Sequence, residues 1–88
     1  MGISFDQMDG HIWFNGEFVP WADARIHVLS HGLHYASCVF EGERAYEGQI
    51  FKLREHTERL FYSARELGFD IPYSIEEIDA ACEEALKI

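Results

Sequence analysis

The sequence predicts an α+β fold, in which an antiparallel sheet built from hairpins carries two helices packed on one face. Two turn-forming pairs, Asn15-Gly16 and Glu47-Gly48, each separate short apolar segments, and this arrangement predicts two β-hairpins. From about Arg54 onward, apolar residues recur at helical rather than alternating spacing. A run of strands followed by a run of helices is typical of the α+β class.

Residues 11–88 are predicted to form one small domain, which residues 1–10 precede as a loose lead-in. The first hairpin extends from His11 to Val19, because aromatic and β-branched residues flank a pair that accepts positive φ at both turn positions. Pro20 has no backbone N–H, and we expect it to end the second strand.

The middle of the chain contains the second hairpin and a less regular connection to it. Ala22 to Val28 is compatible with a turn and a strand, and Ser30 to Ala36 with a short helical or irregular segment. Cys38 to Tyr46 alternates in polarity, which predicts a strand, and Gln49 to Leu53 is predicted to return beside it.

Two amphipathic helices are predicted after the second hairpin. The first begins near Arg54, and Gly68 stands where a C-terminal cap belongs. The second begins at Ser74, since Ser74 and Glu77 have the spacing of a capping box. It reaches Ile88 without a capping signal, so we expect the chain to be truncated from a longer protein. The predicted apolar stripes contain Leu60, Phe61, Ala64 and Leu67 in the first helix, and Ile75, Ile78, Ala81, Cys82 and Ala85 in the second.

Composition and charge argue against several classes of partner. The formal net charge is −9, which disfavours binding to nucleic acids and to anionic membranes. The sequence contains neither a secretion signal nor an apolar run of the roughly 18 residues that a membrane span needs. Cys38 and Cys82 fall in different predicted elements, so we interpret them as reduced thiols and the protein as cytoplasmic.

The predicted strand around Gly42 is one candidate binding surface. Strand alternation places Phe40, Gly42 and Arg44 on one face, where an aromatic wall, an open space and a cation fit a small amphipathic molecule. In the alternative interpretation, Phe40 belongs to the core, Gly42 forms a bulge and Arg44 is a surface charge. The pattern alone favours this alternative.

Arg59 is the second candidate, because it lies at the edge of an apolar helix face and can hold a phosphate with two hydrogen bonds. The alternative, an ion pair with Glu55 one turn earlier, is the simpler interpretation of the pattern alone. His27, His31 and His34 have no accompanying cysteine pair, so no metal site is predicted.

Four segments carry a resemblance to a known family. In order along the chain, they resemble motifs of the branched-chain amino-acid aminotransferases, which are fold-type IV enzymes dependent on pyridoxal phosphate. The resemblance implies the fold of that family's small N-terminal domain. The segments are Ile12-Trp13-Phe14-Asn15-Gly16-Glu17, Ser30-His31-Gly32-Leu33-His34-Tyr35, Val39-Phe40-Glu41-Gly42-Glu43-Arg44-Ala45-Tyr46 and Arg54-Glu55-His56-Thr57-Glu58-Arg59-Leu60.

The resemblance implies a role for each candidate site residue. Arg59 would bind the cofactor phosphate. Phe40 and Tyr35 would line the pocket for the aliphatic side chain of the substrate, Tyr35 across a dimer interface. Gly42 would let the substrate approach the strand, and Arg44 would lie on the same pocket-facing side.

The resemblance also implies a reaction. The amino group of leucine, isoleucine or valine would pass through pyridoxal phosphate to 2-oxoglutarate, in a homo-oligomeric enzyme. In the family, the lysine that carries the cofactor lies on a larger C-terminal domain, and neither Lys52 nor Lys87 has a matching context. We therefore expect this chain alone to be inactive. Two departures stand out: Ala36 replaces a common glycine, and Glu43 replaces a frequent aliphatic residue.

Two alternatives to this function stay open at the level of sequence. One is another fold-type IV enzyme, either a D-amino-acid aminotransferase or an aminodeoxychorismate lyase. The other is a stand-alone interaction module without catalysis.

Overall fold

A computed structural model describes residues 5–88, and residues 1–4 of the predicted lead-in lie outside this range. The part of the lead-in that begins at Phe5 contacts the rest of the chain. Phe5–Gln7 forms a short 3₁₀ turn, and the indole Nε1 of Trp21 donates a hydrogen bond to the Phe5 carbonyl.

The first hairpin is confirmed. Strand β1 (His11–Phe14) pairs antiparallel with strand β2 (Glu17–Pro20). The turn residues have φ values of 51° at Asn15 and 96° at Gly16, which a glycine and an asparagine adopt more readily than other residues. Gly16 also leaves room for a side chain from elsewhere, because a Cβ atom there would lie 3.0 Å from the Tyr73 hydroxyl.

The connection after β2 is mostly irregular. Trp21–Asp23 forms a second 3₁₀ turn, and the segment between residues 24 and 30 forms no strand. The single-turn helix α1 (His31–His34) confirms the helical interpretation of the Ser30 to Ala36 segment.

The second hairpin is shorter than predicted. Only β3 (Ala45–Tyr46) and β4 (Gln49–Ile50) pair, so the predicted strand is wrong for residues 38–44. The physical reason lies in the return strand, which is too short to supply partners for a longer ladder. The backbone enters a helix at Leu53, and the hydrogen bond from the Phe51 N–H to the Arg44 carbonyl, 2.8 Å long, is the last rung.

The cap predicted at the end of the first long helix and the cap predicted at the start of the second are both confirmed. Helix α2 (Leu53–Glu66) is followed by Gly68 with a φ of 84°. The N–H groups of Gly68 and Phe69 then donate to carbonyls of the last helical turn, at 3.0 and 3.1 Å. Helix α3 (Ile75–Lys87) begins with both hydrogen bonds of the Ser74 capping box.

The α+β fold is confirmed, and its core lies where α2 packs on α3 and α3 packs on β1. The most buried side chains there are small: Thr57 is 1% exposed, Ala64 2% and Ala81 9%. The ring of Tyr73 meets that of Trp13 edge to face, with centroids 4.9 Å apart, and joins the helices to the first hairpin. Within residues 5–88 the hairpins form two separate two-stranded sheets rather than one continuous sheet.

Candidate functional site

A bidentate ion pair joins Arg59 to Glu41. The Nε and Nη2 atoms of Arg59 donate to the two carboxylate oxygens of Glu41, each over 2.7 Å. Only 8% of the Glu41 side chain is exposed, whereas 65% of the Arg59 side chain is. The pair therefore consists of a buried carboxylate and a guanidinium that reaches from it towards solvent. Such a fork is the strongest form of arginine–carboxylate contact.

His56 is the third member of this cluster. Its Nδ1 donates to the Oε1 atom of Glu41 over 2.6 Å, so Oε1 accepts from both His56 and Arg59. The hydrogen bond from Arg59, and then that from His56, lower the pKa of Glu41 from 4.5 to about 2. Glu41 is consequently ionised throughout the neutral range.

The ion pair borders a shallow cleft of about 270 Å³, lined by Lys52, Glu55, His56 and Arg59. Three of these side chains carry nitrogen donors. The remaining one, Glu55, lies 3.9 Å from the Lys52 ammonium in an exposed and therefore weak ion pair. The donor set is suited to a small anion such as a phosphate group.

The partner of Arg59 differs from the one that helix spacing suggested. The sequence alternative paired it with Glu55 one turn earlier, but Arg59 binds Glu41, which is distant in sequence. Arg54 has a different role, because its Nε donates over 2.7 Å to Asp79, and Asp79 also accepts from the Thr57 hydroxyl over 2.5 Å. That second cluster holds α2 against α3.

The segment with the predicted substrate-binding residues lies next to the Arg59 cluster, because Glu41 belongs to it. Phe40 is 87% exposed, and a Cβ atom at Gly42 would have no neighbour within 4 Å. Tyr35 is 71% exposed, and its ring contacts those of His31 and His34 rather than Phe40. Within residues 5–88, these positions are open to a ligand or to another chain.

Arg44 lies at a different place from the Arg59 cleft. It borders an open cleft of about 360 Å³ between the second hairpin and α3, together with Glu43 and Cys82. The strand alternation predicted for Phe40, Gly42 and Arg44 does not apply, because residues 38–44 do not form a strand. Burial is the main cause that raises the pKa of Glu43, and burial followed by the charge of Glu43 raises the pKa of Cys82.

Sequence reasoning missed the contribution of Glu41 and His56. One signal was available: His56 and Arg59 are three residues apart, and therefore lie on one face of α2. Nothing in the sequence indicated which acidic residue would be their partner, since the chain has 16 acidic residues and any of them was a candidate.

Two further findings concern the described part of the chain. In residues 5–88, no helix is both long and apolar enough to cross a membrane. The same range has no group of three histidine, cysteine or acidic side chains arranged to hold a metal ion.

The profile of the family described as amino-transferase class IV matches residues 38–88, which include both the Glu41–Arg59 pair and the two long helices. The chain belongs to the class IV aminotransferases. Within that class, it is similar over almost its whole length to branched-chain amino-acid aminotransferases, as the four motifs predicted.

The relatives agree in sequence and in structure. The probable branched-chain-amino-acid aminotransferase of Rickettsia felis is 56% identical over 85 residues, which are 97% of this chain and 29% of that protein. The branched-chain amino acid aminotransferase of Escherichia coli has a crystal structure that superposes with a TM-score of 0.85 at 44% identity, over 91% of this chain and 28% of that one.

A second solved structure contains a bound compound. It is a T.th. branched-chain amino acid aminotransferase complexed with N-(5'-phosphopyridoxyl)-L-glutamate, with a TM-score of 0.85 and 47% identity over 90% of this chain and 28% of that one. The chain thus spans less than a third of the length of the relatives that it matches.

Proposed function

We propose that the protein containing this chain is a pyridoxal-phosphate-dependent aminotransferase that moves the amino group of leucine, isoleucine or valine to 2-oxoglutarate. The observation that carries the proposal is the Arg59 fork. An arginine at this motif position is held by a buried carboxylate, with most of its side chain exposed beside a cleft rich in donors. The names of the related enzymes supply the substrate class.

The residues present fit the phosphate group of pyridoxal phosphate. Arg59 would hold the phosphate, with Lys52 and His56 adding donors at the edge of the same cleft. When bound, the cofactor supplies an electron sink and a carrier for the amino group. The chain itself binds and orients the phosphate end.

The substrate pocket is proposed to use Tyr35, Phe40, Gly42 and Arg44. The exposed ring of Phe40 would form an apolar wall for an aliphatic side chain, and the open space at Gly42 would admit the substrate close to the backbone. Tyr35, also exposed, would complete the pocket of a partner subunit in a homo-oligomer. Arg44 lies apart from this group, and would contribute its charge from the neighbouring cleft.

We also propose that the enzyme acts in the cytoplasm. Cys38 is exposed and Cys82 half-buried, and both are free thiols. Free thiols are typical of a reducing compartment.

Steady-state assays of the full-length protein test the proposed reaction. We expect transamination of leucine, isoleucine and valine with 2-oxoglutarate. Higher activity on D-alanine, or release of pyruvate from aminodeoxychorismate, would instead support another enzyme of the same class. Absence of all three activities would favour the non-catalytic interaction module.

A further inference from the structure

The carboxylate of Glu41 occupies only one edge of the Arg59 guanidinium. This inner edge consists of Nε and Nη2, which donate to Oε2 and Oε1. A guanidinium carries five N–H donors, so the outer edge retains both hydrogens of Nη1 and one of Nη2. Among residues 5–88, Nη1 has no hydrogen-bonding partner. The outer edge is therefore available to an anion while the inner edge remains bound.

Glu41 is itself fixed in place. Its side chain is almost fully buried, and Oε1 is shared between Arg59 and His56 at 2.7 and 2.6 Å. The residue lies in a segment without regular secondary structure, so these contacts, rather than a strand ladder, set the position of its carboxylate.

Two opposing effects of this carboxylate on phosphate binding must be weighed. An arginine side chain has many rotamers, and a guanidinium held before the ligand arrives loses less freedom when the ligand binds. Against this, a negative charge near the cleft repels a phosphate. The carboxylate lies on the far edge of the guanidinium, whose positive charge stands between it and the outer edge. The positioning effect should therefore exceed the repulsion.

We propose that Glu41 is a positioning residue for Arg59: it holds the inner edge of the guanidinium so that the outer edge is presented to a phosphate. This inference rests on the proposed function, in which the phosphate belongs to pyridoxal phosphate. It adds a residue that does not touch the cofactor and acts on it only through Arg59.

A double-mutant cycle in the full-length protein, prepared without cofactor, tests the proposal. Dissociation constants for inorganic phosphate and for pyridoxal phosphate are measured by calorimetry in the wild type, Glu41→Gln, Arg59→Ala and the double variant. We expect Glu41→Gln to weaken both ligands by about three- to tenfold, the effect of ordering one long side chain on binding. In the Arg59→Ala background, Glu41→Gln should have no further effect.

Glu58→Gln is the matched control, because Glu58 is an exposed glutamate next to Arg59 on α2 that does not line the cleft. It should leave phosphate affinity unchanged. Glu41→Asp is a second variant that keeps the charge but is one methylene shorter, so it cannot keep both 2.7 Å contacts in place. It should lie between the wild type and Glu41→Gln in affinity.

A second experiment measures how firmly the Arg59 guanidinium is held, by the exchange of its Nε–H with water. In ¹⁵N-labelled protein without phosphate, the Arg59 Nε–H signal should exchange slowly with water in the wild type and rapidly in Glu41→Gln. This measurement reports on the fork even if the variant is less stable.

The outcomes distinguish the positioning role of Glu41 from the cofactor role of Arg59. Tighter phosphate binding by Glu41→Gln would overturn the positioning role, since repulsion would then dominate. An equal loss in the wild-type and Arg59→Ala backgrounds would also overturn it. If Arg59→Ala binds phosphate as the wild type does, the cofactor role of Arg59 fails as well. A loss in Arg59→Ala without any loss in Glu41→Gln removes the positioning role alone.

Discussion

At the scale of single residues, the arginines of α2 are distinguished by their partners. Arg54 is bound to Asp79 within the interface between the two long helices, whereas Arg59 is bound to Glu41 and reaches towards solvent. Two arginines five positions apart therefore serve different purposes. Sequence spacing alone does not distinguish their roles, because both arginines have acidic residues one turn away.

Arg59→Ala in the full-length protein should weaken pyridoxal phosphate binding by about one to two orders of magnitude, because a charge-assisted bidentate contact is lost. Arg59→Lys should restore only part of the affinity, since an ammonium cannot form the fork. The measurement is the cofactor dissociation constant, with thermal stability recorded on the cofactor-free protein. Stability should also fall, as Glu41 would keep only His56 as a partner.

Arg54→Ala is the control for this prediction. It breaks the contact with Asp79 and should lower thermal stability without changing cofactor affinity. Equal losses of affinity in Arg54→Ala and Arg59→Ala would show that the motif has been mapped wrongly onto α2.

Ala36 is a second position where a single substitution should change the stability of the chain, because its φ is +57°. This left-handed conformation is unfavourable for a residue with a Cβ atom, and it gives a physical reason for the glycine that is common in the family at this position. Ala36→Gly should stabilise the chain by roughly 0.5–1 kcal/mol, the relief of strain exceeding the added freedom of the unfolded chain. Urea unfolding measures this change.

Ala24→Gly provides the matched comparison. Ala24 has a φ of −80°, so glycine relieves no strain there. We expect a loss of roughly 0.4–1 kcal/mol from the added freedom of the unfolded chain. Stabilisation by both substitutions, or by neither, would contradict the strain argument.

At the scale of secondary structure elements, the open cleft between the second hairpin and α3 is bordered by a carboxyl group whose ionised form is disfavoured. Glu43 faces Cys82 there, and burial raises the pKa of its carboxyl group. His56 on α2 opposes this shift, whereas Asp79 on α3 and Glu41 in the same segment add to it. The position of Glu43 beside this cleft thus disfavours its ionised form.

The sign of the resulting pH dependence follows from the raised pKa. A carboxyl that is harder to ionise in the folded chain destabilises it once ionised, so stability falls as pH rises from about 4.5 through the folded pKa. Glu43→Gln should remove this loss and raise stability at pH 7 by about 0.5 kcal/mol or less, because the group is partly screened by solvent. The gain should shrink as the pH is lowered through the same range.

Unfolding curves at several pH values between 4 and 8 test this effect. Glu17→Gln is the control, since Glu17 lies on β2 and does not border the cleft beside α3. A gain from Glu43→Gln that is the same at every pH, or that Glu17→Gln reproduces, would refute the effect assigned to Glu43.

At the scale of the whole molecule, the chain buries little and exposes much apolar surface. Among residues 7–88 only Thr57, Ala64 and Ala81 are buried as whole residues, whereas Phe5, Phe40 and several other large apolar side chains are more than half exposed. Many exposed apolar side chains on a small domain favour association.

We therefore predict that the 88-residue chain self-associates at micromolar concentration. Sedimentation velocity at several concentrations measures this, and Phe40→Ser should shift the distribution towards the monomer because Phe40 is 87% exposed. A monomer at every concentration up to the millimolar range would show that the exposed face has no affinity for a second copy.

The local elements of the chain could be predicted because short-range sequence determines them. Asn15-Gly16 defines the first hairpin through its turn geometry, and Ser74 with Glu77 defines the start of α3 through two hydrogen bonds three residues apart. The motif that implies a cofactor role for Arg59 is likewise a local pattern, and that role stays a prediction. All of these signals depend on residues that are neighbours in the chain.

Other features were decided only by the tertiary structure. The strand predicted for residues 38–44 failed because a strand needs a partner, and the return segment ends at the start of α2. Glu41 became the partner of Arg59 because that irregular segment passes beside α2, 18 positions away in sequence. An alternating pattern specifies faces and not partners, so pairings between distant residues depend on how the elements pack.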